Sequence, residues 1–177
     1  QAMGKDARPP LPGALEEIFR QVRGGQGKAV LVSGSLGSGR HHLADRLKDA
    51  VAWRGNATAC AIQTTEDDRF SPFGVLSDVV LDILELNGRQ EEALDRLKDL
   101  GVEDSALVTL AGIWSLDHSV NVGGMTKRAH LRHVFDAVLD SVTAAGPFAL
   151  VIDRVERLDF VSLDVLRHIV AGIGERS

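Results

Sequence analysis

Lys28-Ala29-Val30-Leu31-Val32-Ser33-Gly34-Ser35-Leu36-Gly37-Ser38-Gly39-Arg40-His41 is the stretch on which the reading of this chain turns. Lys28 to Ser33 form a short, continuous apolar run that suits a strand buried on both faces of a parallel sheet. Gly34 to Gly39 are glycine-rich, and Leu43, Leu47, Ala50 and Val51 then fall at helical spacing up to Gly55. A strand, a glycine turn and a helix in immediate succession aim several backbone N–H groups and the positive end of a helix at one small volume. That volume suits a phosphate. Glycine is needed there because a Cβ would block both the turn and the approach of the anion.

The pattern that cradles di- and triphosphates in this way is G-x-x-x-x-G-K-[ST]. Gly34 and Gly39 stand at its interval, but Arg40 replaces the lysine and His41 the hydroxyl residue. Arg40 keeps the positive charge on a planar fork that is larger and less adaptable than an ammonium. His41 is the more damaging change, because magnesium prefers hard oxygen ligands and an imidazole substitutes poorly for a hydroxyl. The candidate binding residues for ATP or ADP are Gly34, Ser35, Leu36, Gly37, Ser38, Gly39, Arg40 and His41. The bland alternative is that Gly34 to Gly39 form only a tight turn between strand and helix.

Working outward, Leu15, Ile18, Phe19 and Val22 predict a helix before this stretch, stopped by Gly24-Gly25. A second strand is expected over Ala57 to Gln63, followed by a polar loop from Thr64 to Phe70. Ser71-Pro72 predicts a helix start, with a hydroxyl cap and a proline at the first helical position, and Val75 to Leu84 carry its apolar face up to Asn87-Gly88. Two shorter helical patterns follow over Gln90 to Leu100 and Glu103 to Trp114, then a glycine-rich loop from Ser119 to Gly124. Leu131, Val134, Phe135, Val138, Leu139 and Val142 give the clearest helix, broken by Gly146-Pro147. Phe148 to Ile152 read as a third buried strand ending on Asp153, and Leu163, Leu166, Ile169 and Val170 as a last helix. Strands alternating with helices argue for an α/β layer with a parallel sheet.

An apolar strand ending in an aspartate is the companion of a phosphate loop: the acid orients magnesium through water, which makes Asp153 the candidate metal residue. Hydrolysing versions place a second acid next, to activate the attacking water, and here Arg154 holds that place. Loss of such a base typically removes about 10²–10⁴-fold in rate. Glu156 is the remaining catalytic candidate, with solvated loop as its plain alternative. Asp159 is placed to cap the last helix.

Composition narrows the function classes. The chain has 177 residues, 44% hydrophobic and 25% charged, which is ordinary for a packed domain. Its 20 Lys and Arg against 25 Asp and Glu give a formal net charge of −5, so it lacks the clustered positive charge of non-specific nucleic-acid binding. No apolar run approaches the roughly 20 residues that span a bilayer, and no signal peptide is evident, so a cytoplasmic location is expected. Cys60 stands alone, which leaves no partner for an intrachain disulfide, and reads as a small buried residue. His41 and His42 with Asp45, and His130 with His133, lack a third ligand at a telling spacing and read as surface histidines. Trp53 and Trp114 read as packing residues. Lys127, Arg128 and Arg132 make a basic helix face for which a solvated role is expected, with an inter-subunit or phosphate contact as the alternative. Ser33, Ser35 and Ser38 have no His or acid arranged for nucleophilic catalysis.

Taken in order, these motifs resemble one group of proteins. Val151-Ile152-Asp153-Arg154-Val155-Glu156-Arg157-Leu158-Asp159, continuing through Ser162-Leu163-Asp164-Val165-Leu166-Arg167-His168, resembles the second-motif region of the AAA-like P-loop ATPase modules of large LuxR-type transcriptional regulators and multidomain nucleotide cyclases, relatives of the STAND signalling ATPases. Ser71-Pro72-Phe73-Gly74 resembles their approach to the third helix, and Arg128-Ala129-His130-Leu131-Arg132-His133-Val134-Phe135 the basic helix before the Asp strand. The resemblance covers Leu11 to Gly174. It implies a parallel-sheet P-loop NTPase core flanked by helices, with a helical insertion between the second and third strands. It also implies a nucleotide switch that controls self-association or partner binding, with ATP or ADP as ligand. Arg40, His41 and Arg154 depart from the family pattern, which marks a degenerate member. In the family's sheet a further strand follows the last helix and lies between the strand before the phosphate loop and the Asp strand. The sequence reaches Ser177 ahead of that strand, so residues 11–177 are expected to be the N-terminal part of a larger module, and residues 1–10 a tag or disordered leader.

Overall fold

Two of the three expected strands pair. In a computed structural model, which describes residues 12–33, 39–53, 57–115 and 124–173, helix α1 (Gly13–Arg23) and helix α2 (Arg40–Trp53) precede strand β1 (Thr58–Gln63). Helices α3 (Gly74–Ile83), α4 (Gln90–Asp99), α5 (Asp104–Ile113) and α6 (Gly124–Ala145) then lead to strand β2 (Phe148–Asp153) and helix α7 (Phe160–Gly172). β1 and β2 run parallel, from Thr58 opposite Phe148 to Gln63 opposite Asp153. Parallel strands require a long crossover, and the four helices between them supply it.

The pleat sorts side chains onto two faces. Cys60, Ile62, Phe148 and Leu150 join the main core, while the alternate residues Ala59, Ala61 and Ala149 are small and let α2 approach both strands closely. The core centres on the helical insertion. Phe73, Leu76, Val79, Leu97, Leu110, Leu131, Phe135, Val138 and Val165 are completely buried, each on an element that packs against its neighbours in this layer. α6 presents the expected apolar stripe, with Leu131, Val134, Phe135, Val138 and Leu139 buried. Among the described residues no helix is long and apolar enough to cross a membrane.

Three expectations need correction. Lys28 to Ser33 form no strand among the described residues: Val30 is 50%, Leu31 82% and Val32 42% exposed, and the described sheet has two strands only. A buried strand needs neighbours on both edges, and the resemblance places one further strand between this run and the Asp strand, so composition alone did not bring the two into a ladder. The stem of the run nevertheless lies against the end of α7, where a Cβ on Gly27 would stand 2.7 Å from the Ile173 carbonyl oxygen. Second, Ser71-Pro72 does not open α3. Ser71 to Phe73 make a turn, closed by Gly74 N–H donating to the Ser71 carbonyl at 2.9 Å, and the helix begins at Gly74. Phe73 caps it in the left-handed region, φ +64°, held there by complete burial. Third, the basic face of α6 is not merely solvated. Arg132 Nη2 donates to Asp164 Oδ2 at 2.7 Å, and the Arg128 guanidinium sits 5.7 Å from the Phe160 ring centre, so both tie α6 to α7. His168 adds a third tie, its Nε2 lying 2.9 Å from Asp136 Oδ2. His130 Nδ1 lies 2.7 Å from Thr109 Oγ1 and joins α6 to α5, so it is a half-buried packing residue in place of the surface histidine expected. Trp114 packs against the core as expected, and the Trp53 side chain lies outside the described residues.

Leu131→Ala removes a fully buried side chain from the centre of the insertion and is predicted to cost about 2–5 kcal/mol, read from the urea midpoint. Asp78 gives a pH signature. It lines a cavity of about 470 Å³ with Asp68, Ser71, Ser77 and Lys127, and partial burial, then the Asp68 carboxylate, raise its pKa above the ordinary 3.8. The folded chain therefore holds this proton to higher pH than the unfolded chain, so its contribution to stability falls as pH rises through that window. Asp78→Asn is predicted to be at least as stable as the parent at pH 7, with the gain disappearing as pH falls below 3.8 in parallel urea titrations.

Candidate phosphate site

The path of α2 places the glycine loop. Trp53, the last residue of α2, is followed closely by Thr58, the first of β1, so the C-terminus of the helix lies at the N-terminal ends of the strands. Both elements are about 20 Å long at their ordinary rises, and α2 packs along both strands. Gly39 and Arg40 therefore lie at the C-terminal end of the sheet, where β2 delivers Asp153. The structure thus brings the foot of the glycine loop and the acid to one end of the sheet.

Gly39 has φ +81°, a left-handed conformation in which a side chain would be strained although the space around it is open. Leu43 N–H donates to the Gly39 carbonyl at 3.0 Å and starts the helix. The first N–H groups of a helix ordinarily lack intrahelical acceptors, which suits this end of α2 to an anion. Gly34, Ser35, Leu36, Gly37 and Ser38 lie outside the described residues, as do the side chains of Arg40 and His41.

The acid end is well defined. Asp153 is half-buried at the last position of β2, and Arg154 turns sharply out of the strand with φ +59° and ψ +48°. A residue with a side chain in this region costs about 1–2 kcal/mol. Thr64, fully buried at the end of β1, holds the turn. Its N–H donates to the Asp153 carbonyl at 3.3 Å, and its hydroxyl is shared between the carbonyls of Asp153, at 3.1 Å, and Arg154, at 2.7 Å. Arg69 Nη2 donates to the Glu156 carbonyl at 3.2 Å, and Arg157 pairs with Glu66 at 2.6 Å, so the loop after β1 is strapped to the loop after β2. Nothing in the sequence flagged Thr64 or these two straps. The loop from Thr64 to Phe70 reads there as merely polar, and its partners become visible only once the strands are in register.

The remaining acids divide as follows. Asp159 is buried, and its Oδ1 accepts the N–H groups of Val161 at 2.8 Å and Ser162 at 3.0 Å, so it is the cap of α7. Glu156 is exposed, and its backbone carbonyl is the group that the loop uses. Among the described residues no group of three or more His, Cys, Asp and Glu converges as a metal site. Magnesium, which a phosphate loop ordinarily recruits, wants oxygen ligands. The donor set here offers an imidazole residue at position 41 and a clamped turn that fixes a guanidinium-bearing residue next to Asp153.

The comparisons with known proteins agree with the geometry. A family model described as the AAA ATPase domain matches residues 10–175. No curated protein and no solved structure matches the chain. With a match over nearly its whole length, and with the glycine loop's helix and the Asp strand meeting at one end of a parallel sheet, the chain belongs to the AAA ATPase domain family of nucleotide-binding P-loop proteins.

Proposed function

We propose that this chain is a regulatory P-loop module. It binds ATP or ADP through the backbone of Gly34 to Gly39, hydrolyses slowly or not at all, and acts by nucleotide-dependent association with protein partners or with further copies of itself. Arg154 carries the reading on hydrolysis. It occupies the place of the water-activating acid, while Asp159 is committed to capping α7 and Glu156 is exposed. Without a positioned base the hydrolytic step loses about 10²–10⁴-fold. A module that binds but does not turn over holds one state for as long as the nucleotide stays. The resemblance of the Asp153 to His168 region to LuxR-type regulators and multidomain cyclases supports a place in a larger, cytoplasmic signalling or transcriptional regulator whose output domain lies elsewhere in the chain. The net charge of −5 argues against direct nucleic-acid contact by this segment.

The replacements at Arg40 and His41 also support a second reading, a scaffold that has lost nucleotide altogether. Calorimetric titration with ATP and ADP, each with and without magnesium, separates the two. The regulatory reading expects saturable heat at micromolar to millimolar nucleotide and phosphate release near background. Absence of binding at millimolar nucleotide sinks it in favour of the scaffold, as does binding that appears only in the double variant Arg40→Lys, His41→Thr. A magnesium-dependent turnover abolished by Asp153→Asn would show instead an active ATPase.

A further inference from the structure

The cavity of about 470 Å³ that Asp78 lines takes no part in the phosphate site. It is walled by the single turn Asp67–Phe70, the start of α3, the end of α5 and the first turn of α6. Its volume falls in the range of small-molecule pockets, roughly 300–1,000 Å³. Asp78 and Ser71 reach solvent, so the cavity has an entrance. Its walls carry opposite charges: Asp68 and Asp78 bring carboxylates, and Lys127, facing them from α6, brings an ammonium. Asp68 is partly engaged, its Oδ2 accepting the Thr65 N–H at 2.5 Å and the Thr65 hydroxyl at 2.9 Å. The Asp78 carboxylate and the Lys127 ammonium have neither a hydrogen bond nor an ion pair among the described residues. Burial and the Asp68 carboxylate raise the Asp78 pKa, with no cation in contact to lower it.

Two opposite charges that line one cavity without pairing are matched by a ligand that carries the complementary pair. A simple cation would satisfy the carboxylates but meet Lys127, and a simple anion would meet the carboxylates. Both walls are also tied to the segment between β2 and α7. The turn that carries Asp68 is strapped there by Arg69, which donates to the Glu156 carbonyl, and by the pair of Glu66 with Arg157. On the other wall, Lys127 is followed by Arg128, whose guanidinium lies 5.7 Å from the centre of the Phe160 ring at the start of α7. A ligand held between the walls therefore acts on this segment from both ends. We propose that the cavity is an effector site for a small amino-carboxylate zwitterion, the class of the free amino acids, with its ammonium on Asp78 and Asp68 and its carboxylate on Lys127 and the Ser71 hydroxyl. The site uses no residue of the glycine loop and stands apart from the nucleotide-binding reading above.

The test is calorimetric titration of the full chain at pH 7 with the standard amino acids, β-alanine and γ-aminobutyrate, and with methylammonium and acetate as probes of a single charge. At least one zwitterion is expected to saturate at micromolar to millimolar concentration and to bind more tightly than either single-charge probe. Asp78→Asn and Lys127→Met are each expected to lose about tenfold or more in affinity, the range of a charge-assisted hydrogen bond. Asp78→Asn is predicted above to keep its stability at this pH, so its loss reports the site and not the fold. Bound ligand is also expected to slow hydrogen exchange at the amides of residues 154–159. Absence of binding by every zwitterion overturns the proposal. Methylammonium binding as tightly as the best amino acid, with Lys127→Met unchanged, overturns it in favour of a plain cation site. Binding that leaves exchange at residues 154–159 unaltered overturns the effector role.

Discussion

The parallel ladder between Thr58–Gln63 and Phe148–Asp153 is the constraint from which the rest of the molecule follows. Parallel pairing cannot be made with a tight turn, so the chain must leave the sheet and return. In this chain the excursion is a helical layer that becomes the core. The same ladder sets which ends of the strands coincide. Because Gln63 lies opposite Asp153, the loops that leave both strands emerge together, and Thr64, Arg69 and Glu66 can strap the turn at Arg154 to Arg157. A one-residue slip would point every side chain of one strand to the other face.

Much of this was legible in the residues. The stripe from Leu131 to Leu139 lies buried as its spacing requires, Asp159 caps the helix that it precedes, and the helical insertion lies between the second and third expected strands. These are local properties, fixed by a 3.6-residue period or by a side chain that reaches its own backbone. What escaped is non-local. Lys28 to Ser33 have the composition of a buried strand, but pairing depends on what lies alongside, and no residue within the run encodes that. Arg132 and Arg128 read as solvated because their partners, Asp164 and Phe160, are far along the chain. Phe73 in a left-handed cap runs against the preference of its residue type, and only its enclosure by the core explains it.

The candidate site was legible in part. Its glycines, its acid and its three departures stand in the sequence, because phosphate recognition depends on residue types at fixed intervals. The left-handed turn at Arg154 and the buried hydroxyl of Thr64 do not, because a threonine at a strand end has no distinguishing signature until the neighbouring strand is in place. At position 154 the sequence shows the loss of a base, and the structure adds a left-handed turn held by Thr64.

The separation of core from site has an evolutionary consequence. The side chains that hold the fold, from Leu76 and Leu110 to Phe135 and Val165, sit in the helical layer, whereas Arg154 stands in the turn after β2 and is not among the residues packed there. Exchanging one polar side chain for another at that position removes no contact from this core. Stability feels such an exchange mainly through the left-handed backbone at 154. A framework built this way can change the chemistry of its phosphate site step by step, each intermediate remaining a folded protein.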